Sequence, residues 1–158
     1  ALREGFLQRN FQGYSTYADY DLLAIGVSSI GKIGSTYEQN EKDIEAYYAA
    51  LDAGRLPIMR GYQLNHDDIL RRTIIQDLMC RFALDFQVYQ DTFGIPFAQY
   101  FATELADLAR MEQQGLVKLK SNGLKVTPKG RFVIRNIAMV FDYHLRHKET
   151  TAKYSQTV

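Results

Sequence analysis

The run Asp21-Leu-Leu-Ala-Ile-Gly-Val-Ser-Ser-Ile30 restricts the fold more than any other part of the chain. After Asp21 it contains only apolar and small residues, without the alternation of a strand that has one wet face. A continuous run of this length predicts a strand buried on both faces, as in the parallel sheets of α/β proteins. Gly31 and Gly34 break it. Such a strand cannot stand alone, because its backbone N–H and C=O groups need neighbouring strands. The chain offers no second run of this kind. The expectation is therefore that the companion strands lie upstream of this sequence.

Just ahead of the run stands Arg9-Asn-Phe-Gln-Gly-Tyr14, too polar and too aromatic for ordinary core filler. It leads into an apolar segment that ends in small residues, where backbone can approach a ligand closely. The two together read as the edge of an active site whose other half is elsewhere.

Residues 36–53 read as a helix, started by Thr36 or Asn40, with Ile44, Tyr47, Tyr48 and Leu51 on one side and Gly54 at its end. Gly54-Arg-Leu-Pro-Ile58 reads as a turn and short extended link, and as a domain boundary. Asn65-His66-Asp67-Asp68 is a helix start: a capping side chain followed by acids in the first turn. Leu70, Ile74, Leu78 and Phe82 follow at helical spacing. A second helix opens near Ile95-Pro96, carries Phe97, Phe101, Leu105 and Leu108 on one stripe, and closes at Gly115. Leu116–Lys120 alternates as a strand, Ser121-Asn122-Gly123 is a hairpin turn, and Leu124–Val126 is the return strand. Thr127-Pro128 opens a last helix that runs to about His147, with Val133, Ile137, Val140, Phe141 and His144 inward. Helix, helix, hairpin, helix is a winged-helix-like order, with Lys118–Lys125 as the wing.

The 158 residues include 46% hydrophobic and 23% charged side chains, ordinary for a globular protein. Aromatic residues are tyrosine and phenylalanine only, 11 and 9 of them. The net charge of +1 is unevenly spread: after Leu116, nine basic residues face two acidic ones, a net of +7, which leaves −6 for the rest. Such asymmetry fits an anionic partner or two parts that face each other. Cys80 is the one cysteine and sits in an apolar run, so it reads as a buried small hydrophobe. A reducing compartment follows, and with neither a membrane span nor a signal-peptide layout the expected location is cytoplasmic.

No site in the chain supplies chemistry by itself. His66, His144 and His147 with one cysteine do not make a metal or redox centre. Cys80 has no recognisable base, and the glycines form no phosphate loop. Asp67-Asp68 is explained by the helix start. The helix that would enter a DNA groove carries Glu104, Asp107 and Glu112 against Arg110, which duplex DNA would repel.

The chain resembles the oxygen-independent coproporphyrinogen III oxidase family (radical S-adenosylmethionine enzymes of haem biosynthesis), over its C-terminal third. The resemblance is carried by Arg9-Asn-Phe-Gln-Gly-Tyr14, Asp21-Leu-Leu with Gly26-Val-Ser-Ser-Ile30, and Arg60-Gly61. It continues through the Asp67–Cys80 helix, Gly115-Leu-Val, Val126-Thr-Pro-Lys-Gly-Arg131 and Ile134-Arg-Asn-Ile137. It implies S-adenosylmethionine and a four-iron four-sulfur cluster, held by a Cys-x-x-x-Cys-x-x-Cys loop within a three-quarter barrel. It also implies hydrogen abstraction from two propionates of coproporphyrinogen III, whose decarboxylation gives the vinyl groups of protoporphyrinogen IX. The cysteine loop does not occur in this sequence, so both cofactors are expected in the full-length protein and none in this fragment, which alone would be inactive.

By this resemblance the fold is mostly α with a small β-hairpin. Residues 1–56 are the end of the barrel, a remnant strand and helix, and residues 57–158 are a winged-helix-like helical C-terminal domain. Phe11, Gln12 and Ile30 match family residues near bound S-adenosylmethionine; no catalytic residue or metal ligand is assigned. The implied partners are the upstream barrel of the same polypeptide and coproporphyrinogen III, with no membrane and no nucleic acid. The alternatives are a stand-alone winged-helix DNA-binding module and a haem-handling relative without oxidase activity.

Overall fold

The computed structural model describes residues 7–10, 13–16 and 20–147. The chain divides into two compact units, Ala1–Ile69 and Leu70–Val158.

The first unit opens with strands β1 (Gln8–Asn10) and β2 (Gly13–Ser15), antiparallel, with Arg9 opposite Tyr14. A separate antiparallel sheet follows, with β3 (Ile30–Ile33) and β5 (Ile58–Gln63) on either side of β4 (Thr36–Asn40). Gly34 and Ser35 turn the chain from β3 to β4, and Gly34 takes the positive φ of 55° that a two-residue hairpin turn requires. Between β4 and β5 in sequence lies α1 (Ile44–Asp52), whose first turn is capped by Asp43: its carboxylate accepts from the Ala46 N–H at 2.9 Å. The Glu41 N–H then donates to the Pro57 carbonyl at 2.8 Å, at the point where β5 comes alongside β4.

The apolar run is therefore not the buried parallel strand that its composition predicts. Only Ile30 joins a strand, and that strand is antiparallel. Leu23 is 69% exposed and Ile25 84%. Apart from one antiparallel bridge, Leu22 to Lys32 with both backbone bonds at 2.8 Å, side chains and loops hold the segment. The Asn40 amide donates to the Ala24 and Gly26 carbonyls at 3.2 and 3.0 Å, the Gly26 N–H donates to the Tyr47 hydroxyl at 3.1 Å, and the Ser28 N–H donates to the Glu41 carbonyl at 2.7 Å. Residues 36–40 form a strand rather than the first turns of a helix, because β3 and β5 pair with both edges of this segment. The link expected at 54–58 continues into a six-residue strand, and 58–63 belongs to the compact unit Ala1–Ile69.

Helix α2 (His66–Arg81) starts in the first unit and runs on into the second. Its start is the one expected. The Asn65 side chain accepts from the Asp68 N–H at 2.9 Å, and the Asp68 carboxylate accepts from the Asn65 N–H at 3.0 Å, a reciprocal cap. Next come β6 (Ala83–Asp85) and α3 (Phe86–Phe93), for which the sequence pattern gave no expectation. The helix foreseen from Pro96 is two, α4 (Phe97–Tyr100) and α5 (Ala102–Gln113), with Phe101 at the break. The hairpin is β7 (Val117–Lys120) and β8 (Gly123–Val126), and β6 adds to β8 to give a three-stranded antiparallel sheet in the order β6-β8-β7.

The single last helix resolves into α6 (Pro128–Arg131), α7 (Ile134–Met139) and α8 (Tyr143–Arg146). Asp142 caps α8 by accepting from the Leu145 N–H at 2.9 Å, which ends the preceding helical path. Val133 and His144 consequently face outward, while Ile137, Val140 and Phe141 are buried as expected. The fold is thus mixed, with helices and three small antiparallel sheets, rather than mostly α with one hairpin.

Leu70, Ile74, Leu78, Phe97, Phe101, Leu108, Val117, Val126, Ile137 and Phe141 fill the core of the second unit. Phe97 links three rings, stacked on Phe86 at 4.2 Å and tilted against Phe101 at 4.8 Å and Tyr89 at 5.6 Å. One ion pair is enclosed with them: Arg71 reaches Glu104 at 2.8 Å, with side-chain exposures of 11% and 7%. The Arg71 guanidinium also donates to the Phe141 carbonyl and lies over the Phe101 and Tyr143 rings. Burying two charges is favourable only with such additional partners. Gly130 marks the tightest approach, since a Cβ there would lie 2.0 Å from the Leu116 carbonyl oxygen.

Candidate functional site

The residues singled out by sequence converge on the first unit. Phe11 and Gln12 lie outside the described residues. Arg9 and Tyr14, which flank them in sequence, sit opposite each other, with the guanidinium carbon 5.6 Å from the ring centroid. Ile30 is the first residue of β3 and 38% exposed. Register places it opposite Gln39, which in turn is opposite Arg60 on β5. The next row on the same face is Lys32, Tyr37 and Tyr62. Glu38 and Thr36 project to the other face, as alternation along a strand requires.

Within this face Gln39 is the organiser. Its amide donates to the Ser28 carbonyl at 3.2 Å, and its Oε1 accepts from Arg60 Nε at 3.0 Å and Nη2 at 2.6 Å. Ser28 itself is at φ 63°, the left-handed region that a serine seldom adopts. The turn that delivers Ile30 is therefore held against its own preference by the Gln39 and Glu41 contacts. Tyr62 donates its hydroxyl to the Asp68 carboxylate at 2.8 Å, and that bond, with some burial, raises its phenol above the ordinary range. Tyr62 thus stays a neutral donor.

Sequence reasoning missed Gln39, Asn40 and Lys32 as parts of a site. Reading 36–40 as helix put their side chains on the wrong periodicity.

The second unit holds a different feature. Lys118 on β7 is directly opposite Lys125 on β8, and Lys120 shares their face. Like charges across a pair are unfavourable, so this face is open to an anion. Cys80 is buried, as expected. His144 and His147 are exposed, and the His147 ring contacts the Tyr143 carbonyl at 2.8 Å. Among the described residues no three His, Cys, Asp or Glu side chains group so as to hold a metal ion, and none of their helices is long and apolar enough to cross a membrane. A cluster that needs three thiolates does not fit a chain with one buried cysteine.

Comparison with known proteins agrees along the full length. Residues 64–133 match the HemN C-terminal domain family. The oxygen-independent coproporphyrinogen III oxidase of Salmonella typhimurium is 45% identical over 158 residues, covering 100% of this chain and 35% of the relative. That of Helicobacter pylori strain 26695 is 41% identical over 149 residues, covering 94% and 33%. The solved structure of the Escherichia coli enzyme, described as a radical SAM enzyme, superposes with a TM-score of 0.88 at 46% identity, over 91% of this chain and 33% of that one. The chain spans about a third of the length of the relatives it matches. It therefore carries the HemN C-terminal domain and aligns, along its whole length, with the oxygen-independent coproporphyrinogen III oxidases.

Proposed function

We propose that this chain is the C-terminal part of an enzyme that oxidatively decarboxylates coproporphyrinogen III to protoporphyrinogen IX by radical S-adenosylmethionine chemistry. The observation that carries the reading is the 45% identity along all 158 residues, without a break at the border of the two units. S-adenosylmethionine and its iron–sulfur cluster would supply the radical from the part of the polypeptide that these residues do not include. In this reading the first unit is the end of the barrel. Phe11 and Ile30 supply apolar packing to the adenine of S-adenosylmethionine, and Gln12 supplies an amide to its polar edge. The exposed Leu23 and Ile25 then meet neighbouring barrel strands.

In the same reading the second unit, with its order α2-β6-α3-α4-α5-β7-β8, is winged-helix-like. We read it as a cover that keeps solvent from the reacting centre, where water would quench a radical. Its Lys118, Lys120 and Lys125 face attracts the carboxylates of the substrate. The single buried cysteine suits a cytoplasmic protein. A DNA-binding role has no support from the relatives, and Asp107 on α5 already engages Arg110 and Arg146. The test is anaerobic turnover. The complete polypeptide, with reductant and S-adenosylmethionine, is expected to form the divinyl product, and the present chain alone none. A complete polypeptide that leaves both propionates intact would refute the assignment.

A further inference from the structure

We propose that Arg60 is a carboxylate-binding residue, and that the sheet face it shares with Ile30 and Lys32 receives a propionate-bearing tetrapyrrole; the identity of that ligand rests on the function proposed above. A guanidinium has five N–H donors. Gln39 Oε1 occupies one edge, Nε and Nη2, at 3.0 and 2.6 Å. This leaves the Nη1–Nη2 edge, two parallel donors that match a carboxylate. The holding group is a neutral amide, so the positive charge is fixed in place without being cancelled. No acidic side chain among the described residues pairs with Arg60, and Glu38, the nearest acid on the central strand, faces the other way by register.

The same face carries a second cation. Lys32 is two strands and one row from Arg60, roughly 12 Å by strand spacing and rise, and Tyr37 stands beside Lys32 on the central strand. Tyr37 and Tyr62 supply apolar area on the same side. Two separated cations on an apolar and aromatic face complement an apolar ring system with acidic arms. Because Gln39 has already ordered the Arg60 side chain, less conformational entropy remains to be lost on binding.

The test measures binding to the complete polypeptide by fluorescence of coproporphyrin III, the stable oxidised macrocycle with the same four propionates, and of its tetramethyl ester. Arg60→Gln is expected to weaken the tetra-acid by about ten- to a hundred-fold, the range of one charged bidentate contact, and to leave the ester unchanged. Gln39→Leu, which frees the guanidinium without removing it, is expected to give a smaller loss. Lys32→Gln provides a second variant on another strand. Unaltered thermal melting of R60Q and K32Q separates these effects from a merely structural cross-strand pair, which would lower stability and affect acid and ester alike. Equal affinity of wild type and R60Q for the tetra-acid, or no binding by the wild type, overturns the proposal. The enzymatic reading stands or falls separately, on formation of the divinyl product.

Discussion

Tyr89 shows how much depends on single side chains in the second unit. Its ring is buried against Phe97, and its hydroxyl donates to the Asp77 carboxylate at 2.5 Å. Burial first, and the bond to Asp77 second, push the phenol far above its ordinary value of 10.0. The folded state therefore holds this proton more tightly than the unfolded chain does. The stabilisation is present in full below that ordinary value and declines as pH rises above it. Tyr89→Phe is expected to cost about 1.5–3 kcal/mol at neutral pH, the worth of a hydrogen bond to a charged group. The gap to wild type should narrow between about pH 9 and 11, as followed by urea melts. A gap that widens over this range would rule out the assignment. Phe82 illustrates a different constraint. It ends α2 at φ 59°, where glycine is usual, and is kept there by its carbonyl bond to the Val126 N–H and by the Arg131 guanidinium 4.6 Å from its ring.

At the scale of elements, the segment before β3 is the one whose order depends on side chains. Asn40 is buried at 3% exposure and is its main anchor, with two carbonyls on one amide. Asn40→Leu would strand both carbonyls and is expected to destabilise by about 1–3 kcal/mol for each group that water cannot reach. Hydrogen exchange should accelerate at Gly26 and Ser28 through Ile33 while the amides of α5 stay protected. Uniform acceleration would mean that the segment is not a separate local structure. Much of the element order was legible in the sequence, because it rests on local chemistry. The Asn65–Asp68 cap, the α5 stripe and the Ser121-Asn122 turn are each set by residues close in the chain. The strands of the first sheet were not legible. Thr36–Asn40 has neither a helical stripe nor a clean alternation, and only pairing with β3 and β5 decides its state.

At the scale of the whole molecule, the chain forms two compact units, Ala1–Ile69 and Leu70–Val158, and the proposed function gives each its own duty. One buried cysteine cannot hold a cluster. Anaerobic reconstitution of this chain with iron and sulfide is therefore expected to give no stoichiometric charge-transfer absorbance, and stoichiometric cluster would show that other ligands had been overlooked. The family resemblance, the Asn65 and Thr127 caps, the hairpin and the core stripe of the second unit were legible in the chain, since motifs and periodicity are local properties. That the apolar segment before β3 is tied down by Asn40 and Tyr47, and that Ile30, Gln39 and Arg60 stand in one row, emerges only on folding. Hydrogen bonds between residues 14 to 21 apart in the chain have no local signature, so no reading of spacing reveals them.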